Sequence, residues 1–480
     1  MKATPIFPCP DWVKEAIFYQ IFPDRFARSD SYKALGLFKP WASPPTSNGM
    51  CGGNLRGIIE KLSYIKTLGA NAIYLCPVFA SNSNHRYHTV DYFRIDPVLG
   101  TEEDFDTLVK ECKKMQIRII LDGVFNHCSR GFFQFNSLLE QGAESPYRDW
   151  FFVDSFPLNA YSGKPNYQAW WGLSALPKFN TGNKEVREML MNVGEYWMRK
   201  GIDGWRLDVP NEINDDSFWQ EFRLRVKAIN PDAYIVGEIW DNPDRWLQGD
   251  QFDGVMNYPV RRILLEYFCS KQMNSPENRS VGEPESVWNH HAENGTQIFC
   301  ERLRGSFRKD QFGVPMTLIG SHDTPRLATI AHNSPDELRL LWVTFLFLPG
   351  AVSIYYGDEF GMEGGKDPDN RRCFPWNNAG HLLESPLYQE IWKLLALRRK
   401  EEALVFGEIE IMAEDGGFRI SRTFKKDVLE LRVAYPGEIE ILEQNLHGTI
   451  LLSYKIDEKI GFSSKNIPKG GFLVSKRSLP

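Results

Sequence analysis

Three acidic residues stand in apolar or glycine-rich frames: Asp208 in GWRLDVP, Glu238 in YIVGEIW and Asp323 in GSHDTPR. Each lies at or just past the end of an apolar run that reads as a strand. Strand C-terminal ends are where a βα barrel gathers its reactive groups. Hydrolysis of a glycosidic bond needs one carboxyl as nucleophile and one as general acid, and Asp208 with Glu238 suits that need. A single acidic residue in an arbitrary segment is ordinarily solvated surface. Three of them at strand ends, two with Arg or His beside them, weigh against that bland reading.

Side chains alternate along a strand, so Arg206 and Asp208 in DGWRLDV point the same way. If both face a barrel lumen, the guanidinium holds Asp208 ionised, as a glycosidic nucleophile requires. The competing reading is a purely structural Arg–Asp pair. Glu238 has Ile239 and Trp240 beside it. Their desolvation raises its pKa and keeps a proton on near neutrality, ready for a leaving oxygen. Asp323 can stabilise the positive charge of an oxocarbenium-like transition state, while His127, His322 and the pair Tyr87-His88 hydrogen-bond ring hydroxyls. A lone histidine is more often a structural residue; His88, His127 and His322 all fall near expected strand ends.

The elements that must position these groups alternate between strand and helix from about residue 17 to 400, a βαβ rhythm that implies a parallel sheet. Strands are expected within 16–22, 71–79, 117–125, 203–209, 233–240, 252–258, 315–322 and 352–358. Eight is the count of a closed (β/α)8 TIM barrel. Between them, 54–69 carries a one-sided apolar stripe ending at Gly69, and 101–115 opens on Thr101 with acids and closes on lysines, in keeping with the helix dipole. A third helical pattern, 183–201, leads into the Asp208 strand.

One interval breaks the rhythm. Residues 128–180 are rich in Phe, Trp, Pro, Gly and Asn with little helical period. An excursion of that length reads as a lobe inserted after the third strand and lying over the barrel mouth. The barrel is thus expected from 1–127 and 181–400, the lobe from 128–180. After residue 400 short strand patterns separated by turn residues suggest a C-terminal antiparallel β-sandwich over 401–480.

Net charge is −6 at pH 7, which argues against an electrostatic nucleic-acid binder. The 14 Trp and 18 Tyr suit both a large core and sugar stacking. The 8 cysteines are scattered without a CxxC pair, so neither a zinc site nor a redox motif is expected. They point to a reduced, cytoplasmic protein. The first sixteen residues have no apolar stretch fit for a signal peptide, and the most apolar run, 340–356, is split by Pro349-Gly350 and reads as helix, turn and strand rather than a membrane span. Asn278 and Asn294 begin glycosylation sequons that, without an export signal, read as chance.

In their order, DGVFNH (122–127), GWRLDVPNE (204–212), GEIW (237–240) and GSHDTPR (320–326) resemble the motifs of the α-amylase family, glycoside hydrolase family 13. The resemblance covers nearly the whole chain. It implies the barrel, the lobe and the C-terminal sandwich, and a retaining mechanism with Asp208 as nucleophile, Glu238 as acid/base and Asp323 as transition-state stabiliser. It further implies that His127, Arg206 and His322 line one sugar subsite, that Tyr87 stacks there, and that Asp367 and Arg371 of DPDNR contact the same sugar. LPKFN (176–180) is similar to the lobe motif of the neopullulanase, cyclomaltodextrinase and maltogenic amylase group, and VPNE to that group's VANE. Asn211 and Glu212 would then face the acceptor-side sugar, unless they are simply a polar helix start.

Three departures from that group carry expectations. The first strand begins within twenty residues, so the group's extra N-terminal domain, and dimers built through it, are not expected. Asp30 and Asn54 are thin provision for the calcium that some relatives bind after the first strand, and no metal or cofactor is expected; Asn126 is read as a structural hydrogen-bonding residue. Pro210 replaces the group's Ala and reshapes the acceptor side. The leading expectation is a retaining α-glucan hydrolase acting on α-1,4 and α-1,6 bonds of maltooligosaccharides, cyclodextrins or pullulan. A transglycosylase or α-glucosidase would use the same site with another acceptor. A catalytically silent glucan- or protein-binding barrel would dispense with it, although all three acids are present.

Overall fold

Short, mostly apolar runs, buried except for Arg118 at the start of the third, pair side by side in one direction: β1 (Ile17–Ile21), β2 (Ala72–Leu75), β3 (Arg118–Gly123), β4 (Gly204–Leu207), β5 (Tyr234–Gly237), β6 (Gly254–Val255), β7 (Met316–Leu318) and β8 (Ala351–Tyr355). This is a computed structural model, and it describes residues 7–269, 295–307, 312–435, 437, 439–440, 449–455 and 466–479. The sheet runs β6-β5-β4-β3-β2-β1-β8-β7 with parallel pairing throughout. Met256, just past β6, bridges Met316 of β7, and Asn257 N donates to Met316 O at 2.8 Å. That contact closes the sheet into a barrel. Each run expected as a strand overlaps one, the last beginning a residue earlier at Ala351, and Gly204 shows why β4 opens on glycine: a Cβ there would stand 2.0 Å from Tyr234 O.

The helices follow local chemistry with one surprise. Thr101 and Asp104 cap each other's backbone N–H at 3.2 and 3.0 Å, opening Glu102–Lys114. Asn183 caps Lys184–Arg199. The stripe expected over 54–69 is two helices, Leu55–Glu60 and Leu62–Leu68, parted at Lys61, where ψ is 6°. Its apolar face stays in register across the break, which is why periodicity does not reveal it. Gly69 ends it at φ 107°, a conformation glycine takes without steric cost. The run 340–356 forms a helix ending at Phe347, then a turn, then β8, and among the described residues no helix is long and apolar enough to cross a membrane.

After β3 the chain leaves the barrel. The excursion contains an α-helix, Phe133–Gln141, which the weak period did not announce. Phe135 packs its ring against Phe151 and Tyr167, each with centroids 5.0 Å apart. The return arm pairs with the residues that follow β3, through His127 with Lys178 and Cys128 N to Pro177 O at 3.1 Å. The lobe is thereby anchored at the C-terminal end of the barrel.

The C-terminal strands, β9 (Glu408–Glu414), β10 (Gly417–Phe424), β11 (Asp427–Ala434), β12 (Thr449–Tyr454) and β13 (Phe472–Ser478), form one antiparallel sheet ordered β9-β10-β11-β13-β12. Among the described residues the second layer is only the pair Ile439–Glu440 and Asn466–Ile467. Barrel helices cover the sheet instead: Phe418 meets Phe268 and Phe299 at 6.2 and 5.0 Å. Leu404–Phe406, inside the stretch read as short strands, ends a short helix. The eight cysteines are free thiols, and Asn278 and Asn294 lie outside the described residues.

Candidate active site

Parallel register sets Asp122 of β3 opposite Arg206 of β4. The ladder continues one residue beyond the strands: Asp208 N donates to Gly123 O and Glu238 N to Leu207 O, both at 3.0 Å. Asp208 and Glu238 therefore leave adjacent strands at the same height, at the C-terminal end of the barrel. Directly after Asp208 the chain turns through Val209 at φ 36°, ψ 51°. A β-branched residue in that region is strained by about 1–3 kcal/mol. The turn aims Val209 N at Glu238 Oε2, 3.1 Å away.

Arg206 is fully buried and serves three carboxyls. Its Nη1 donates to Asp122 Oδ1 and Asp208 Oδ1, both at 2.9 Å, and its Nη2 lies 2.9 Å from Glu238 Oε1, without the alignment of a hydrogen bond. Asp122 also accepts from Tyr74 and Tyr87 hydroxyls at 2.6 and 2.9 Å. One cation cannot neutralise three buried carboxylates. Burial, opposed by Arg206 and reinforced by Glu238 and Asp122, pushes Asp208 well above the usual carboxylate range. Burial also lifts Glu238 to about 7. The upward shift of Glu238 agrees with the sequence reading. That of Asp208 corrects it: Arg206 touches Asp208 as expected, yet a guanidinium shared with two other acids does not outweigh desolvation. Beside Glu238, Trp240 Nε1 donates to Oε1 at 3.2 Å, and the Trp240 ring stacks on Tyr258 at 3.6 Å.

Asp323 stands across the barrel mouth, past β7. His322 is buried, and desolvation with the nearby Arg371 and Arg206 drives its pKa well below the usual histidine value, so it is neutral. Gln20 Nε2 donates to its Nδ1 at 2.7 Å, which puts the ring proton on Nε2. That nitrogen lies 2.5 Å from Tyr87 Oη and 3.1 Å from Asp323 Oδ2. The hydrogen-bond chain Gln20, His322, Tyr87, Asp122, Arg206 thus links β1 to β4. Tyr87 lies parallel to the His322 ring, at 4° with centroids 5.5 Å apart.

Arg371 ties in the DPDNR segment. It donates from Nε to His322 O at 3.0 Å, and its two Nη atoms reach Asp323 and Asp367 at 3.3 and 2.9 Å. The segment is not a free turn: Asn370 and Arg371 are buried, and Asn370 Nδ2 donates to the carbonyls of His322 and Thr324. His127 is buried with its Nε2 lacking any protein partner, and its ring faces Trp170. His88 packs edge-on against His85 at 4.9 Å. Asn211 and Glu212 lie in the short helix after Asp208; Asn211 is exposed, and Lys178 Nζ donates to Glu212 O at 2.8 Å.

Reading the sequence alone overlooked three members of this cluster. Asp122 lies in the DGVFNH motif, and only the register of β3 against β4 sets it opposite Arg206. Gln20 is a polar residue inside an otherwise apolar strand. His85, whose Nδ1 accepts from Tyr87 N at 3.2 Å, has no signal apart from its neighbours. Calcium fits poorly in the loop after the first strand. Asn54 Oδ1 is occupied by Gly57 N and Ser29 N, and Asp30 is exposed. Among the described residues no group of three or more His, Cys, Asp or Glu could hold a metal ion.

Residues 20–392 match the model of the α-amylase catalytic domain. The cyclomaltodextrinase of Geobacillus thermopakistaniensis is 43% identical over 415 residues, 85% of this chain and 66% of that protein. Neopullulanase 2 of Thermoactinomyces vulgaris is 40% identical over 407 residues, 84% of this chain and 66% of that one. The chain thus spans just under two thirds of the length of these curated relatives. The debranching enzyme of Nostoc punctiforme, in a crystal soaked with acarbose, superposes with a TM-score of 0.84 at 38% identity, covering 98% of this chain and 99% of that one.

Proposed function

The chain belongs to the α-amylase family, and from that membership we propose that it is a retaining hydrolase of α-glucans, cutting α-1,4 and α-1,6 bonds of maltooligosaccharides, cyclodextrins or pullulan. The observation that carries this reading is the placement of Asp208 and Glu238 at one height on neighbouring strands around a single guanidinium. Asp208 is the nucleophile, Glu238 the acid/base and Asp323 the transition-state stabiliser.

The contacts of Arg206 support those roles. The charge of Glu238 disfavours that of Asp208, and two carboxyls that share one guanidinium lose their protons in steps that belong to the pair. Arg206 makes a true hydrogen bond to Asp208 and only a charge contact to Glu238. The retaining reading places the shared proton on Glu238, and the hydrogen bond from Arg206 to Asp208 favours that placement, against the burial that raises both carboxyls. Asp208 then attacks the anomeric carbon while Glu238 protonates the departing oxygen; in the second step water gives a proton to Glu238 as its oxygen bonds the anomeric carbon and the bond to Asp208 breaks. Asp323 faces the developing positive charge, oriented by Arg371 and His322. His127 offers an unpartnered Nε2 to a sugar hydroxyl, with Tyr87 and His88 beside it; Asp367 and Arg371 grip the same sugar from the far side, and Asn211 and Glu212 meet the sugar that leaves.

The names of the two curated relatives and of the debranching enzyme support substrates with both bond types. Free thiols suit a reducing cytoplasm. Proton NMR of fresh products from cyclodextrin, pullulan and starch tests the reading: α-anomers must appear first, and Asp208→Asn must cut turnover by about 10³-fold or more with its circular dichroism spectrum unchanged. First-formed β-anomers, or an undiminished variant, would remove it.

A further inference from the structure

Three flat rings stand face to face where the lobe meets the barrel mouth. Buried His127 lies 5.3 Å from Trp170 with 20° between the planes, and Trp170 lies 4.4 Å from Trp171 with 11°. The outermost ring, Trp171, is 59% exposed. An exposed aromatic on its own is common and needs no explanation. Trp171 adds a backbone cost: it sits at φ 52°, ψ 21°, the left-handed region that large side chains avoid. That turn lays the indole flat on Trp170 and leaves its other face outward. Among the described residues no other ring stacks on it.

The ladder also has a defined side. Trp170 and Trp171 lie at the turn of a hairpin, with Trp170 N donating to Leu176 O at 3.0 Å and Lys178 N to Gln168 O at 2.9 Å. The return arm reaches the short helix after Asp208, where Lys178 Nζ contacts Glu212 at its carbonyl, 2.8 Å, and its carboxylate, 3.6 Å. The hairpin that carries the rings is therefore tied at its base to the segment assigned to the leaving part of the substrate. The C–H face of a pyranose is apolar and flat, and an indole is the widest partner a side chain offers it.

We propose that the outward face of Trp171 is a platform for a glucose unit of the glucan on the leaving-group side of the scissile bond, so that this residue sets the preference for longer chains. The inference rests on the glucan-hydrolase reading above and adds a residue and a specificity to it. Two substrates separate them. α-Maltosyl fluoride places no sugar on the leaving-group side, whereas maltohexaose does. Trp171→Ala should lower the ratio of kcat/KM for maltohexaose to that for the fluoride by about 10-fold, through KM, and Trp171→Phe should restore most of it. An unchanged ratio in Trp171→Ala, or a Phe variant as poor as Ala, overturns the platform. Wild-type protein inert toward both substrates overturns the hydrolase reading, and this inference with it.

Discussion

Arg206 Nη1 stands 2.9 Å from Asp208 Oδ1, two residues along the same strand end, and the guanidinium is wholly out of water. The same nitrogen holds Asp122. Removing one partner of a buried ion network leaves the others uncompensated, at a cost of about 3–5 kcal/mol. Arg206→Met should therefore lower unfolding stability by about that amount at neutral pH, measured by chemical denaturation, as well as abolish turnover. A loss of under about 1 kcal/mol would mean that the carboxyls are already neutral without it.

Glu238 gives a pH signature. Burial raises its pKa to about 7 from the unfolded value of 4.5. Between those values the folded state holds the proton that the unfolded chain releases, so stability falls as pH rises through the window and stays low above it. Glu238→Gln cannot ionise. From about pH 5 to about pH 8 the melting temperature of the wild type should fall further than that of Glu238→Gln. Parallel curves would place the burial elsewhere. Wild-type kcat should decline on the alkaline side of about 7, as the acid form is lost.

Arg371 uses three nitrogens on three acceptors, His322 O, Asp323 and Asp367. A lysine has the charge but not the fork. Arg371→Lys should reduce kcat/KM by about 100-fold, the scale of one misplaced electrostatic group. A change of less than about 3-fold would make the segment a scaffold without a share in substrate contact.

Asn54 spends its carbonyl oxygen on two backbone N–H groups. Excess chelator should therefore leave both turnover and melting temperature as they were. A drop of several degrees restored by calcium would locate an ion the local ligands do not suggest. Asn54→Ala should cost about 1 kcal/mol as a lost helix cap, with or without chelator.

The barrel was legible because parallel buried strands are nearly continuous apolar runs and the reactive acids sit where those runs stop. Asp208 and Glu238 could be picked from such stops, and Arg206 from alternation on one strand. Alternation is blind to the neighbouring strand. The register of β3 against β4 decided that Asp122 shares the same guanidinium, and burial, which that divided cation does not offset, reversed the expected direction of the Asp208 shift. Helix period was equally blind to the break at Lys61, since an apolar stripe continues across a local kink. The lobe showed the limit from the other direction. Its aromatic content was plain in composition, but which rings fill a core, as Phe135 does, and which face water, as Trp171 does, depends on chain reversals through a few backbone angles. Periodicity and motif report what one segment prefers; a shared charge or a stacked ring belongs to segments that meet only when the chain has closed on itself.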